Sequence, residues 1–85
     1  MIVSCKELNL VPRAGMRLYH LTTGTYARAE NDWGRIPERW CIDADDTTTK
    51  LLLFAEVCRR SGASAPSMPR NNIIDYLREP WQEPT

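Results

Sequence analysis

Residues 43–62 read DADDTTTKLLLFAEVCRRSG, and this stretch decides the fold. Asp43, Asp45 and Asp46 put negative charge ahead of a first turn, where the free amide groups of a helix carry partial positive charge. Thr47 or Thr48 supplies an oxygen to cap those amides. Arg59 and Arg60 stand where the carbonyl end of a helix attracts cations, and Gly62 can take the left-handed conformation that ends one. The spacing predicts a helix over residues 47–60. With the turn of about 100° per residue expected of a helix, Leu51, Leu53, Phe54, Ala55, Val57 and Cys58 share one broad stripe, which is expected to face the core. Thr48, Thr49, Glu56, Arg59 and Arg60 lie opposite. Leu52 falls among the polar set, either as an ordinary exposed leucine or as a second contact, to the N-terminal segment or to a partner.

Downstream, residues 61–67 (SGASAPS) read as a linker. A second helix is expected over residues 69–79, with Ser67 as a cap, Pro69 in its first turn and Pro80 as its stop. Ile73, Ile74, Tyr76 and Leu77 form its apolar face. Trp81 then folds back or stays exposed, and residues 82–85 read as a frayed tail.

Upstream, residues 16–23 (MRLYHLTT) are rich in strand formers, and residues 38–43 (ERWCID) read as a short strand just before the long helix. Residues 25–33 are ambiguous. As a strand they close a hairpin on 16–23 through Thr23 and Gly24; as a helix they place Tyr26, Ala29 and Trp33 on one face. The hairpin is the preferred reading. Residues 1–11 are an edge strand or a one-turn helix opened by Ser4 and Glu7. The expected fold is α+β: a small antiparallel sheet in the N-terminal half, then two helices, in one domain spanning 1–85.

The chain has 85 residues, enough for one modest core. Hydrophobic residues make up 42% and charged residues 26%, the balance of a water-soluble globular domain. Eleven basic residues match eleven acidic ones, so no global field favours nucleic acid or a membrane surface. The charge is unevenly spread. Residues 6–29 carry Lys6, Arg13, Arg17 and Arg28 against Glu7, a net of +3; residues 30–46 carry six acids against Arg35 and Arg39, a net of −4. Cys5, Cys41 and Cys58 are odd in number and lack ligand spacing. With no basic leader ahead of an apolar run, and no segment of roughly 20 apolar residues, the expected setting is reduced and cytoplasmic. Neither a cofactor nor a metal is expected.

Asp43-Ala44-Asp45-Asp46-Thr47 matches the DxDxT string of the haloacid dehalogenase-like phosphatases. The resemblance implies that Asp43 is a nucleophile, that Asp45 is its acid/base partner, and that Mg²⁺ holds the phosphate. It also requires a parallel doubly wound sheet, a later lysine and a later acidic pair, for which only Lys50, Asp75 and Glu79 remain. The chain is too short for that sheet. The three acids are therefore read as a helix start, with an enzyme or a weak cation site at Asp43, Asp45 and Asp46 as the alternative. His20, the only histidine, reads as a structural strand residue. Residues 17–22 (RLYHLT) resemble the first strand of ADP-ribosyltransferase-like folds, which need far more chain.

Residues 4–8 (SCKEL), Leu18-Tyr19 and residues 34–42 (GRIPERWCI) together resemble small winged-helix regulators of the excisionase and MerR type. That resemblance implies a helix-turn-helix in the first half, then a turn and a wing strand, and a DNA-binding function. Pro12 and Gly15 interrupt its recognition helix.

Trp33, Trp40, Trp81, Tyr19 and Tyr26, with Arg35 and Arg39, are residue types that dominate binding hot spots. Three tryptophans are generous for so small a core. Trp33, Arg35 and Arg39 share a Gly- and Pro-bearing loop, NDWGRIPER, between candidate strands, and such loops commonly carry recognition. The expected function is non-enzymatic binding of a macromolecular partner through these three residues. A protein partner is preferred and DNA is second. An inhibitor, adaptor or accessory subunit of the kind phages and mobile elements encode would fit. A homodimer through Leu52 or an exposed aromatic is a further expected use.

Overall fold

The computed structural model describes residues 1–61 and 73–78. The chain runs β1 (Ile2–Ser4), β2 (Arg17–His20), β3 (Tyr26–Arg28), β4 (Trp40–Asp43), α1 (Thr47–Ser61) and α2 (Ile73–Arg78). The strands form one antiparallel sheet in the order β1-β4-β2-β3. The fold is α+β, sheet first and helices after, as the sequence predicts.

The ambiguous residues 25–33 resolve as a hairpin, but a short one. Arg17 pairs with Arg28, Leu18 with Ala27 and Tyr19 with Tyr26. Strand β2 stops at His20 because the chain turns there. The Thr23 amide donates to His20 Nδ1 at 3.2 Å, the Gly24 amide donates to the His20 carbonyl at 2.9 Å, and Gly24 sits at φ +70°. A ring nitrogen accepts a backbone N–H through its lone pair, so His20 serves the turn through Nδ1.

Residues 1–11 take the edge-strand reading, and a turn, not a helix, follows the strand. Val3 pairs with Ile42 in β1, and then one turn follows. The amides of Asn9 and Leu10 donate back to the carbonyls of Lys6 and Cys5, with Asn9 at φ +52°. This is a helix-end motif in which asparagine takes the left-handed position.

The core lies between the sheet and α1. Val3, Leu18 and Ile42 line up across three strands and are all but fully buried, together with Leu8, Leu10, Met16, Leu53 and Val57. Ile73, Ile74 and Leu77 of α2 join the same cluster. The predicted extension of α2 to 69–79, its cap and stop, Trp81 and the tail lie outside the described residues.

Two expectations about α1 need correction. First, the cap is Asp46, not Thr47 or Thr48. Asp46 Oδ2 accepts from the Thr49 amide at 3.0 Å and from the Thr49 hydroxyl at 2.9 Å, and the Asp46 carbonyl takes the first helical bond from Lys50. A carboxylate held by a distant arginine outcompetes a flexible hydroxyl here. Second, the buried face is turned towards Thr49, Leu53 and Val57. Thr49 is fully buried, whereas Leu51 is 49% exposed and Phe54, Ala55 and Cys58 are only half-buried. Leucines at 51, 52 and 53 leave the stripe free to rotate, and polar bonds at the helix start select the rotation. Leu52 packs against the core cluster, and its Cδ1 lies 3.4 Å from where a β-carbon on Gly15 would stand. Gly15, at φ +96°, lets this loop pass close under the helix.

The helix-turn-helix implied by the regulator resemblance is not formed by the residues that would supply it. Residues 2–28 build β1, one turn, β2 and β3. The sheet is antiparallel throughout, unlike the parallel sheet that the phosphatase string requires. Among the described residues no helix is long and apolar enough to cross a membrane.

Candidate functional site

Three groupings of side chains merit comparison. The first is the acidic helix start. Asp43 Oδ2 accepts from Arg17 Nη1 at 2.9 Å, and its other oxygen accepts the Asp45 amide. Asp45 pairs with the N-terminal amine. Asp46 caps α1 and receives both Nη atoms of Arg28, at 3.0 and 3.1 Å. The hydrogen bonds from Arg28 hold the Asp46 carboxyl well below the usual carboxylate range, against the effect of its partial desolvation. The Thr49 hydroxyl accepts the Arg17 amide at 2.8 Å, a strand N–H left open where β4 ends. Each acid of the DxDxT string thus has a structural partner. Among the described residues no three His, Cys, Asp or Glu side chains converge as a metal-binding set.

The second grouping lies on the sheet face opposite the core. The Arg17 guanidinium sits 4.1 Å over the Tyr26 ring, and Tyr19 meets Tyr26 edge-to-face at 4.9 Å. Arg17 is already committed to Asp43, so this cluster presents little free charge.

The third grouping is the loop between β3 and β4. Residues 29–33 are laid along residues 12–16: Asp32 Oδ1 accepts the Ala14 amide at 2.8 Å, and the Trp33 amide donates to the Pro12 carbonyl at 2.9 Å. The far end is tied again where the Arg39 carbonyl accepts from Leu21 and the Trp40 carbonyl accepts from Cys5. In between, residues 34–38 make no backbone–backbone hydrogen bond among the described residues. Pro37 is buried and Ile36 half-buried, so apolar contact anchors the span.

An open cleft of about 670 Å³ runs along this loop, lined by Trp33, Arg35, Ile36, Pro37, Glu38 and Trp40. Trp33 meets Trp40 edge-to-face at 5.6 Å, and His20 meets the other side of Trp40 at 4.7 Å. Trp33 and Trp40 both line the cleft, and each ring pair is worth roughly 0.5–1.5 kcal/mol beyond burial.

The fold thus brings Trp33 and Arg35 together in the cleft. It does not bring Arg39 there. Arg39 takes a left-handed conformation, φ +62°, and its Nη1 donates to Thr22 Oγ1 at 3.2 Å. Trp33 is half-buried: it packs on the core with one side and lines the cleft with the other. Sequence reasoning did not place Trp40, Ile36 and Pro37 in the site. The signal for Trp40 was the two-residue alternation that sets it on the same face as Ile42 but beyond the end of the core.

The arginines divide sharply. Arg13, Arg17, Arg28 and Arg78 face carboxylates, and Arg59 and Arg60 share Glu56. Among the described residues Arg35 alone of the arginines has neither a hydrogen bond nor an ion pair, and it is exposed.

The cysteines are all free. Burial, reinforced by the nearby Cys41, pushes the Cys5 thiol up to about 12, and burial also raises Cys41. Neither is placed to act as a thiolate nucleophile near neutral pH.

The chain matches no protein-family model, no curated protein and no solved structure.

Proposed function

We propose that this chain is a small non-enzymatic protein that binds a macromolecular partner, with the loop of residues 33–40 as its contact surface. The observation that carries this reading is the cleft itself. Two tryptophans in edge-to-face contact form an apolar wall, an arginine without a partner among the described residues stands at its side, and residues 34–38 between them make no backbone–backbone hydrogen bond there. Rigid aromatics beside an arginine are the composition of interface hot spots. The acids that could argue for catalysis each have a partner: Asp43 pairs with Arg17, Asp45 with the N-terminal amine, and Asp46 with Arg28 while capping α1. A protein partner, in the manner of an inhibitor, adaptor or accessory subunit of a phage or mobile element, suits this surface best. Three free cysteines, two of them buried, suit a reduced cytoplasmic setting.

The test compares complexes recovered from host extract by the wild-type chain, Arg35→Ala and Arg39→Ala. A specific partner lost with Arg35→Ala supports the reading. A partner retained fully by Arg35→Ala and by Trp33→Ala removes the loop from the interface. A DNA-binding regulator, the second reading, would instead bind random duplex DNA with an affinity that falls steeply with salt.

A further inference from the structure

The cleft combines one unanswered positive charge with an apolar wall, and its surroundings restrict what can answer that charge. Arg35 projects from a span flanked by acids. Of the acids nearest in sequence, Glu30 is exposed, while Asp32 pairs with Arg13 and Glu38 with Lys6. The other acids of the 30–46 stretch are paired at the helix start and Arg39 turns to Thr22, so among the described residues Arg35 is the one cation that lines the cleft. A polyanion gains most from a track of several cations, and the cleft lining offers one. A single carboxylate on a narrow segment matches that single charge. Arginine's planar fork accepts it in a two-point contact. Residues 34–38 make no backbone–backbone hydrogen bond among the described residues, and a peptide brings backbone donors and acceptors of its own to such a loop.

Resting on the binding reading above, we infer that the partner presents a short acidic peptide segment, in which one Asp or Glu engages Arg35 and an adjoining apolar side chain lies on the wall formed by Trp33, Ile36, Pro37 and Trp40. The segment is recognised by its charge and its neighbour, not by a long electrostatic track.

A random-peptide display library selected against the wild-type chain tests this directly. The expected result is enrichment of Asp or Glu next to an aliphatic or aromatic residue. Synthetic peptides of that consensus should change the tryptophan fluorescence and bind Arg35→Glu at least tenfold more weakly, about 1.4 kcal/mol. Selection against Arg35→Glu should turn the enrichment towards Lys or Arg. Arg35 is exposed and unpartnered, so this variant keeps its fold, which circular dichroism and the melting temperature verify. A neutral or basic consensus whose binding is lost in Trp33→Ala would leave the cleft a binding site and overturn the acidic segment. Acidic peptides that bind Arg35→Glu as well as wild type would overturn it too. No Trp33-dependent clone at all, or displacement of the peptides by random duplex DNA, would remove both the acidic segment and the protein-binding reading.

Discussion

The start of α1 and the loop before β4 carry similar residue types and opposite degrees of completion. At the helix start Arg17, Arg28, Asp43, Asp46 and Thr49 form a closed network in which the Asp46 carboxylate caps the helix and grips β3. In the loop, among the described residues, Arg35 has no partner and residues 34–38 make no backbone–backbone hydrogen bond. The first region joins elements distant in sequence, since Arg28 and Asp46 lie 18 residues apart. The second joins nothing that the described residues provide. A charge matched within the fold contributes to folding, and one left open in a preformed cleft is available to a partner.

This contrast breaks if stability depends on the loop as much as on the helix start. The largest expected effect is at Leu53, fully buried between α1 and the sheet. Leu53→Ala should cost about 2–5 kcal/mol in urea unfolding, while Leu51→Ala, on the exposed side, stays within roughly 0.5 kcal/mol. Equal losses would return α1 to the rotation that its apolar stripe suggested.

Next comes Thr49→Val. It keeps the volume but strands the Arg17 amide, and should cost about 1–3 kcal/mol. A smaller loss would mean that water replaces the hydroxyl and that the network is less closed than its geometry indicates.

Asp46→Asn sharpens the comparison through pH. The folded carboxyl is held below its ordinary value, so its stabilisation is fully present above the unfolded value of about 3.9 and is lost as pH falls through the folded value. Wild-type melting temperature should therefore drop below pH 4 more steeply than that of Asp46→Asn. Near neutral pH the variant should lose about 1 kcal/mol, a typical capping contribution. Parallel pH profiles would show that the Arg28 contact contributes no linkage.

The smallest stability effect is expected at Arg35. Arg35→Ala should leave unfolding within roughly 0.5 kcal/mol of wild type while weakening the partner complex by more than about 1 kcal/mol. Trp33→Ala is the less clean variant, because its half-buried ring also packs on the core. Thiol labelling of the native chain gives a check at no energetic cost: Cys58 should react well before Cys5 and Cys41, which open only on unfolding.

Much of the fold was legible in the chain. The expected helix over 47–60 matches α1 (Thr47–Ser61), although its cap was misassigned and Gly62 lies outside the described residues, and the Thr23-Gly24 turn located the β2–β3 hairpin. Strand ends were read too long, because His20 bonds Thr23 and turns the chain early, a contact that strand propensity does not encode. For the candidate site, Trp33 and Arg35 were legible as binding residue types in a Gly- and Pro-bearing loop. That Trp40 joins them and that Arg39 turns away to Thr22 were not.

The sequence by itself determined which segments become helix or strand and where charge gathers, because propensity, capping and turn chemistry act over a few residues. Only the tertiary structure decided which side of α1 is buried, which acid caps it and which arginine is left open. Leucines run together at 51–53, so apolar periodicity alone allows more than one rotation of the helix. The choice falls to Arg28 reaching Asp46, and to Thr49 meeting the Arg17 amide from 32 residues away. Such pairings exist only once the sheet has brought distant segments together, and Arg35 is open because, among the described residues, that same assembly brings no carboxylate to it.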